Sequence, residues 1–154
     1  MTYLGQSLKR AEDPRLITGQ GSFVDDINLP GMLHVAVLRS PHAHARVKSI
    51  DTAAASSAPG VVAVLTAEDI EGVLQHVPTG ISVYEGKFDH LEAPEHPVLA
   101  RGKVCYVGQP VAMVVAQDPN LARDALELIQ TDYEPLAPIL DPLEIVNNDT
   151  IPIH

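Results

Sequence analysis

Apolar and polar positions divide the 154-residue chain into a polar opening stretch, a middle of short strands with one clear helix, and a polar end. In MLHVAVLR (32–39), Leu33, Val35 and Val37 share one face at period two, with His34, Ala36 and Leu38 on the other. That alternation predicts a strand with two fairly apolar faces. Pro41 breaks it, and HARVKSI (44–50) reads as a second strand whose Ala45 and Val47 lie opposite Arg46 and Lys48, so the two are expected to form a bent hairpin. VVAVL (61–65) is a continuous apolar run between turn signals, the pattern of a central strand covered on both faces. KVCYV (103–107) and VAMVVA (111–116) flank Gly-Gln-Pro, where Gly108 supplies a positive φ and Pro110 fixes the exit direction, and a hairpin is the economical reading. QTDYEPL (130–136) reads as an edge strand, because Pro135 cannot donate to a ladder.

Helical signals are fewer. Asp51 and Thr52 suit the N-cap of a short helix in TAAASSA, ended by Pro59-Gly60, and Thr66 to Asp69 has the spacing of a capped turn. Asp118 followed by Pro119 opens the clearest helix, predicted to run to Ile129 with an apolar stripe of Leu121, Ala125, Leu128 and Ile129. Residues 1–31 read as an N-terminal arm with at most one short strand near Ser22 to Val24, and 71–97 as a long excursion without a period. The expected plan is the arm (1–31), an α+β domain (32–140) with a mixed sheet and two or three short helices, and an exit linker (141–154) to further domains.

Composition narrows what such a domain does. Twenty acidic against ten basic residues give a net charge of -10, which repels a phosphate backbone, and six aromatics offer few stacking platforms, so nucleic acid is not an expected partner. The lone Cys105 forms no internal disulfide, no stretch has the layout of a signal peptide, and no run approaches the roughly 20 apolar residues that cross a bilayer. Cytoplasmic residence with no membrane partner is the expectation. The Asn148-Asp149-Thr150 sequon has no consequence without a secretory signal.

The sharpest chemical candidate is RSPHAHAR (39–46). Imidazoles at i and i+2 on a strand point the same way and can share a zinc ion, yet His42 and His44 need a third ligand from His34, His76, His90 or His96. A stand-alone ligand- or metal-binding module built on the two histidines is the alternative reading. Cys105 sits among apolar neighbours and reads as an inert thiol, and GQGSF (19–23) lacks the third glycine and the strand–helix setting of a dinucleotide fingerprint. Asp25-Asp26 and Glu92/Glu95 are acid pairs with no nucleophile or oxyanion donor placed beside them. No catalytic, cofactor-binding or metal residue emerges. The residues singled out are those of two polar or glycine-bearing turns in an apolar frame: Arg39, His42, His44, Gly108 and Gln109, expected to face neighbouring domains.

The succession LPGMLH, RSPHAHARV, PGVVAVLT, YVGQPVA and DYEPL, within a span from about Gly5 to Asp141, resembles the N-terminal segment of molybdenum hydroxylase large subunits, the xanthine dehydrogenase, aldehyde oxidase and aerobic carbon monoxide dehydrogenase family. The resemblance implies an α/β-hammerhead domain. In the whole family enzyme it implies molybdenum on a molybdopterin dinucleotide and hydroxylation with water-derived oxygen. Electrons then leave through [2Fe–2S] clusters to FAD on partner subunits or domains. The family's cofactor loops and catalytic glutamate lie downstream of this region, so none is carried over. The chain is expected to be a structural piece without activity of its own, with the cofactor-binding domains of the same chain and the iron–sulfur and FAD components as partners.

Overall fold

A computed structural model describes residues 4–78 and 94–141, together with residues 80, 87 and 143. The backbone divides into two compact units at Met32/Leu33. In the first, helix α1 (Asp13–Ile17) has Pro14 in its first turn and carries the Arg10 Nε to Asp13 Oδ1 bond of 2.9 Å, with none of its residues buried. The strand expected near Ser22 to Val24 is replaced by a single 3-10 turn, Val24–Asp26. The reason is local: the Phe23 N–H donates to Asp26 Oδ2 at 2.8 Å, and this bond curls the backbone that a strand would keep extended.

Among the described residues the second unit holds six strands: β1 (His34–Arg39), β2 (Ala45–Asp51), β3 (Val61–Thr66), β4 (Lys103–Val104), β5 (Pro110–Ala116) and β6 (Gln130–Pro135). The α+β class holds, with the strands shared between two small antiparallel sheets, ordered β1-β5-β3 and β4-β2-β6, rather than one mixed sheet. β1 and β2 therefore do not form a hairpin. β1 pairs with β5, and β2 passes into the other sheet between β4 and β6. β3 lies at a sheet edge and β5 occupies the centre, because two apolar faces indicate burial above and below a strand and say nothing of neighbours beside it. The hairpin expected across Gly-Gln-Pro is also absent: β4 is only Lys103–Val104 and bonds β2, while residues 105–109 form the turn leading into β5. β6 is an edge strand, as its proline requires.

The main core lies between the first sheet and two helices, α2 (Ala53–Ser56) and α3 (Pro119–Leu126). Ala55, Ala112, Ala116, Ala122 and Ala125 form a seam of small side chains there, with Val114 and Ile129 filling it. Such a seam lets helix and sheet backbones approach closely. α3 ends at Leu126, short of the predicted Ile129, and its buried residues are Ala122 and Ala125; of the predicted stripe, Ala125 and, just past the helix, Ile129 are buried, while Leu121 and Leu128 stand exposed. The close approach of helix and sheet favours alanine there. A second cluster, Ala45, Ala100, Val104 and Val111, lies where the two sheets meet, and Ile50 packs against both clusters. Gly60, at φ +75°, turns the chain into β3 beneath α3, where an added Cβ would meet Leu121 Cδ1 at 2.5 Å.

Residues 79, 81–86 and 88–93 of the 71–97 excursion, the sequon, and the exit linker beyond Asp141 apart from Leu143 lie outside the described residues. Among the described residues no helix is long and apolar enough to cross a membrane.

Two capping predictions follow from this geometry. Asp118 Oδ1 accepts from the Asn120 N–H at 2.7 Å and the Leu121 N–H at 3.3 Å, so Asp118→Ala is expected to cost about 1 kcal/mol in urea unfolding. Asp69 Oδ2 accepts from the Thr66 backbone N–H and hydroxyl, both at 2.7 Å, and these bonds, the backbone one foremost, hold its carboxyl below the usual carboxylate range. A depressed folded value means the contribution is present above the unfolded value, about 3.9, and is lost as pH falls through the lower folded one. Thermal melts of Asp69→Asn and the parent chain should therefore differ at pH 7 and converge as the pH drops below about 4.

Candidate functional site

RSPHAHAR forms the connection from β1 to β2, and it meets the turn that leads into β5. Three bonds lock the two turns together: Arg39 Nη1 to the Gly108 carbonyl at 2.9 Å, the Ser40 N–H to the Gln109 carbonyl at 2.9 Å, and the Gly108 N–H to the Ser40 carbonyl at 2.8 Å. Gly108 takes a φ of +87°, which an L side chain adopts only with strain, so glycine lets its N–H turn back toward Ser40. The Ser40 hydroxyl bonds both the carbonyl and the N–H of His42, which closes the bend at Pro41.

The five residues singled out from sequence thus come together, and they divide by direction. Gln109 is only 6% exposed, and its side-chain oxygen accepts the Cys105 N–H at 2.7 Å, so it braces the turn from inside. His44 Nδ1 lies 2.8 Å from the Ala137 carbonyl, and since a carbonyl only accepts, Nδ1 carries the proton. Nε2 is left with a lone pair, buried and without a partner among the described residues. His42 packs on the Tyr133 ring, centroids 4.9 Å apart and tilted by 58°. Burial, foremost, pushes the Tyr133 phenol above its ordinary pKa. Arg39 is exposed and His42 half-buried.

This geometry corrects the zinc argument. His42 and His44 precede β2 and lie in a bend, so strand alternation does not align them. Neither nitrogen of His44 is open to a shared ion. Of the third-ligand candidates, His34 begins β1, His76 Nε2 pairs with Glu95 Oε2 at 3.2 Å, and His96 stacks near Tyr106 with centroids 6.4 Å apart. His90, like Glu92, lies outside the described residues. No group of three His, Cys, Asp or Glu among the described residues is placed to hold a metal.

The remaining sequence candidates resolve into structure. Asp26 closes its own turn, and GQGSF is a turn in which Gly19 has φ +70°. A cleft of about 400 Å³ lies beside Ile70, Leu74 and Leu99, with the Glu71–Arg101 ion pair in its lining. Sequence reading missed it, since only three-dimensional packing joins residues 67–76 to 95–101. The Arg101 guanidinium, by hydrogen bond and then by charge, holds the Glu71 carboxyl below its ordinary range. No nucleophile stands beside a base here, and the cleft's His76 is paired with a carboxylate at the surface.

A scan against protein families matches residues 18–137 to "Aldehyde oxidase and xanthine dehydrogenase, a/b hammerhead domain". The chain belongs to this hammerhead family. The hammerhead is 45% identical over 142 residues to the 6-hydroxypseudooxynicotine dehydrogenase complex subunit gamma of Paenarthrobacter nicotinovorans, covering 92% of this chain and 18% of that protein. Among solved structures it is similar to a Cu,Mo-CO dehydrogenase, at 46% identity and a TM-score of 0.77, covering 91% of this chain and 16% of that one. It is also similar to quinoline 2-oxidoreductase from Pseudomonas putida 86, at 38% identity and a TM-score of 0.81, covering 97% and 18%. The hammerhead therefore spans less than a fifth of the length of each of these relatives.

Because Gln109 Oε1 accepts the Cys105 N–H, Gln109→Ala removes this bond from inside the turn. Chemical denaturation is expected to show a loss of about 1–2 kcal/mol. Arg39→Ala, which removes one exposed bond, should cost about 0.5 kcal/mol or less.

Proposed function

We propose that the hammerhead is the N-terminal structural domain of a molybdenum hydroxylase large subunit, a cytoplasmic oxidoreductase. The observation that carries this reading is the match, along more than nine-tenths of the chain, to a dehydrogenase complex subunit, a Cu,Mo-CO dehydrogenase and a quinoline oxidoreductase. The three relatives are named for a hydroxypseudooxynicotine, carbon monoxide and quinoline, while sharing this domain at 38–46% identity. Substrate choice therefore belongs elsewhere in the subunit, and an aldehyde, a purine-like heterocycle and carbon monoxide all suit the same hammerhead.

In this reading the cofactor is molybdenum on a molybdopterin dinucleotide, held by other domains of the same chain. The two locked turns do not fit that group. Gln109 Oε1 is spent on the Cys105 N–H and His44 Nδ1 on the Ala137 carbonyl, while His44 Nε2 is buried, so no chemical step is assigned to them. [2Fe–2S] clusters are each held by four thiolates as a rule, and this chain has one cysteine, so clusters and FAD belong to partner subunits or domains. The turns instead shape an interdomain surface: Arg39, His42 and Gly108 present it, and His44 and Gln109 hold it from within. The hammerhead alone carries no turnover.

The open reading frame is expected to continue for several hundred residues past His154, and its full product to contain molybdenum by elemental analysis. A natural stop codon at that point would overturn the reading. In the full-length subunit, Arg39→Ala combined with His42→Ala should lower recovery of molybdenum-loaded enzyme several-fold without changing its substrate. Unchanged recovery would remove the interdomain role.

A further inference from the structure

The sheet β1-β5-β3 has one face committed to α2 and α3, through Ala36, Leu38, Ala112, Val114 and Val64. Its other face is just as apolar. Register places Val35 and Ala63 beside Val115 in one row, and Val37 and Leu65 beside Met113 in the next. None of these six side chains belongs to either buried cluster. Val35 is 57% exposed and the other five are half-buried. An antiparallel sheet with one solvated face ordinarily alternates apolar and polar residues, so two apolar faces mark a sheet built to be covered on both sides. The six positions also carry no charge, in a chain of net charge -10.

We infer that this second face is a docking surface for an uncharged, apolar segment of the remainder of the same large subunit. The inference rests on the reading of the chain as part of such a subunit. Two observations select the occupant. The relatives have more than four-fifths of their length outside the matched region, so a hammerhead in that setting has a large body of its own polypeptide to pack against. The face is neutral, and burying a charged partner on it would leave that charge unpaired, which excludes a phosphate backbone or a charged peptide.

Carbene footprinting of the full-length subunit tests it directly. Peptides bearing Val35 and Met113 should label several-fold less than the peptide bearing Arg46, Lys48 and Asp51, which are exposed on β2. Equal labelling would overturn the inference. Val35→Arg has room within the hammerhead, and in the full-length subunit it should lower soluble, assembled protein several-fold, while Val35→Ile leaves it unchanged. Continued protection of the α3 peptide separates lost docking from lost folding. Assembly of Val35→Arg at the parental level would count against the inference. So would a dimer of the 154-residue chain that this substitution dissociates, since the occupant would then be a second copy. A gene product ending at His154 would remove both readings, whereas a longer, molybdenum-bearing subunit with a freely labelled Val35 would remove only this one.

Discussion

Strand β5 has to be out of water on its helix-facing side and along both edges, and the second unit is arranged to meet that demand. Val111, Ala112, Val114 and Ala116 have no exposed surface. β1 and β3 pair with its backbone on either side. α3 covers the even-numbered side chains, and Val111, on the other face, starts the second cluster. One strand thus serves two cores. The locked turns fix where it begins, because Gln109 immediately precedes Pro110 and is tied both to Ser40 and to Cys105.

What could be read from the chain was the local part of this arrangement. Alternating faces located β1 and β2, apolar runs beside turn signals located β3 and β5, and the Asp118-Pro119 pair located α3, since these signals live within a few residues. Pairing was not legible. Nothing in Val61–Thr66 states that β3 sits beside β5 at an edge, because register is decided by contacts about fifty residues apart. The α3 stripe was legible at Ala125 and Ile129 and not at Leu121 and Leu128 for a related reason: amphipathic spacing identifies a face without revealing how near the sheet lies. At RSPHAHAR the residue types were informative and the backbone was not. Two histidines in a bend answer to their carbonyl and aromatic neighbours, Ala137 and Tyr133, which are far away in sequence.

The site follows the same logic. Its polar groups were recognisable as a set because they interrupt an apolar frame, and the fold does unite them. Their direction depended on who receives each bond, and Gln109 and His44 turn inward to Cys105 and Ala137. Relatives named for different molecules share this hammerhead, so one scaffold is common to all of them.

The alanine seam has a consequence for how such a scaffold changes over generations. At Ala55, Ala112, Ala116, Ala122 and Ala125 the packed backbones leave room for a methyl group and little more. Enlarging any of them forces helix and sheet apart, and serine brings a hydroxyl that must find an acceptor. Glycine loosens the helix or strand that carries it. Drift at these positions is therefore confined in every direction, while the exposed leucines of α3 are free to vary. Divergence of the surface can proceed around an interior that has almost no neutral neighbours in sequence space.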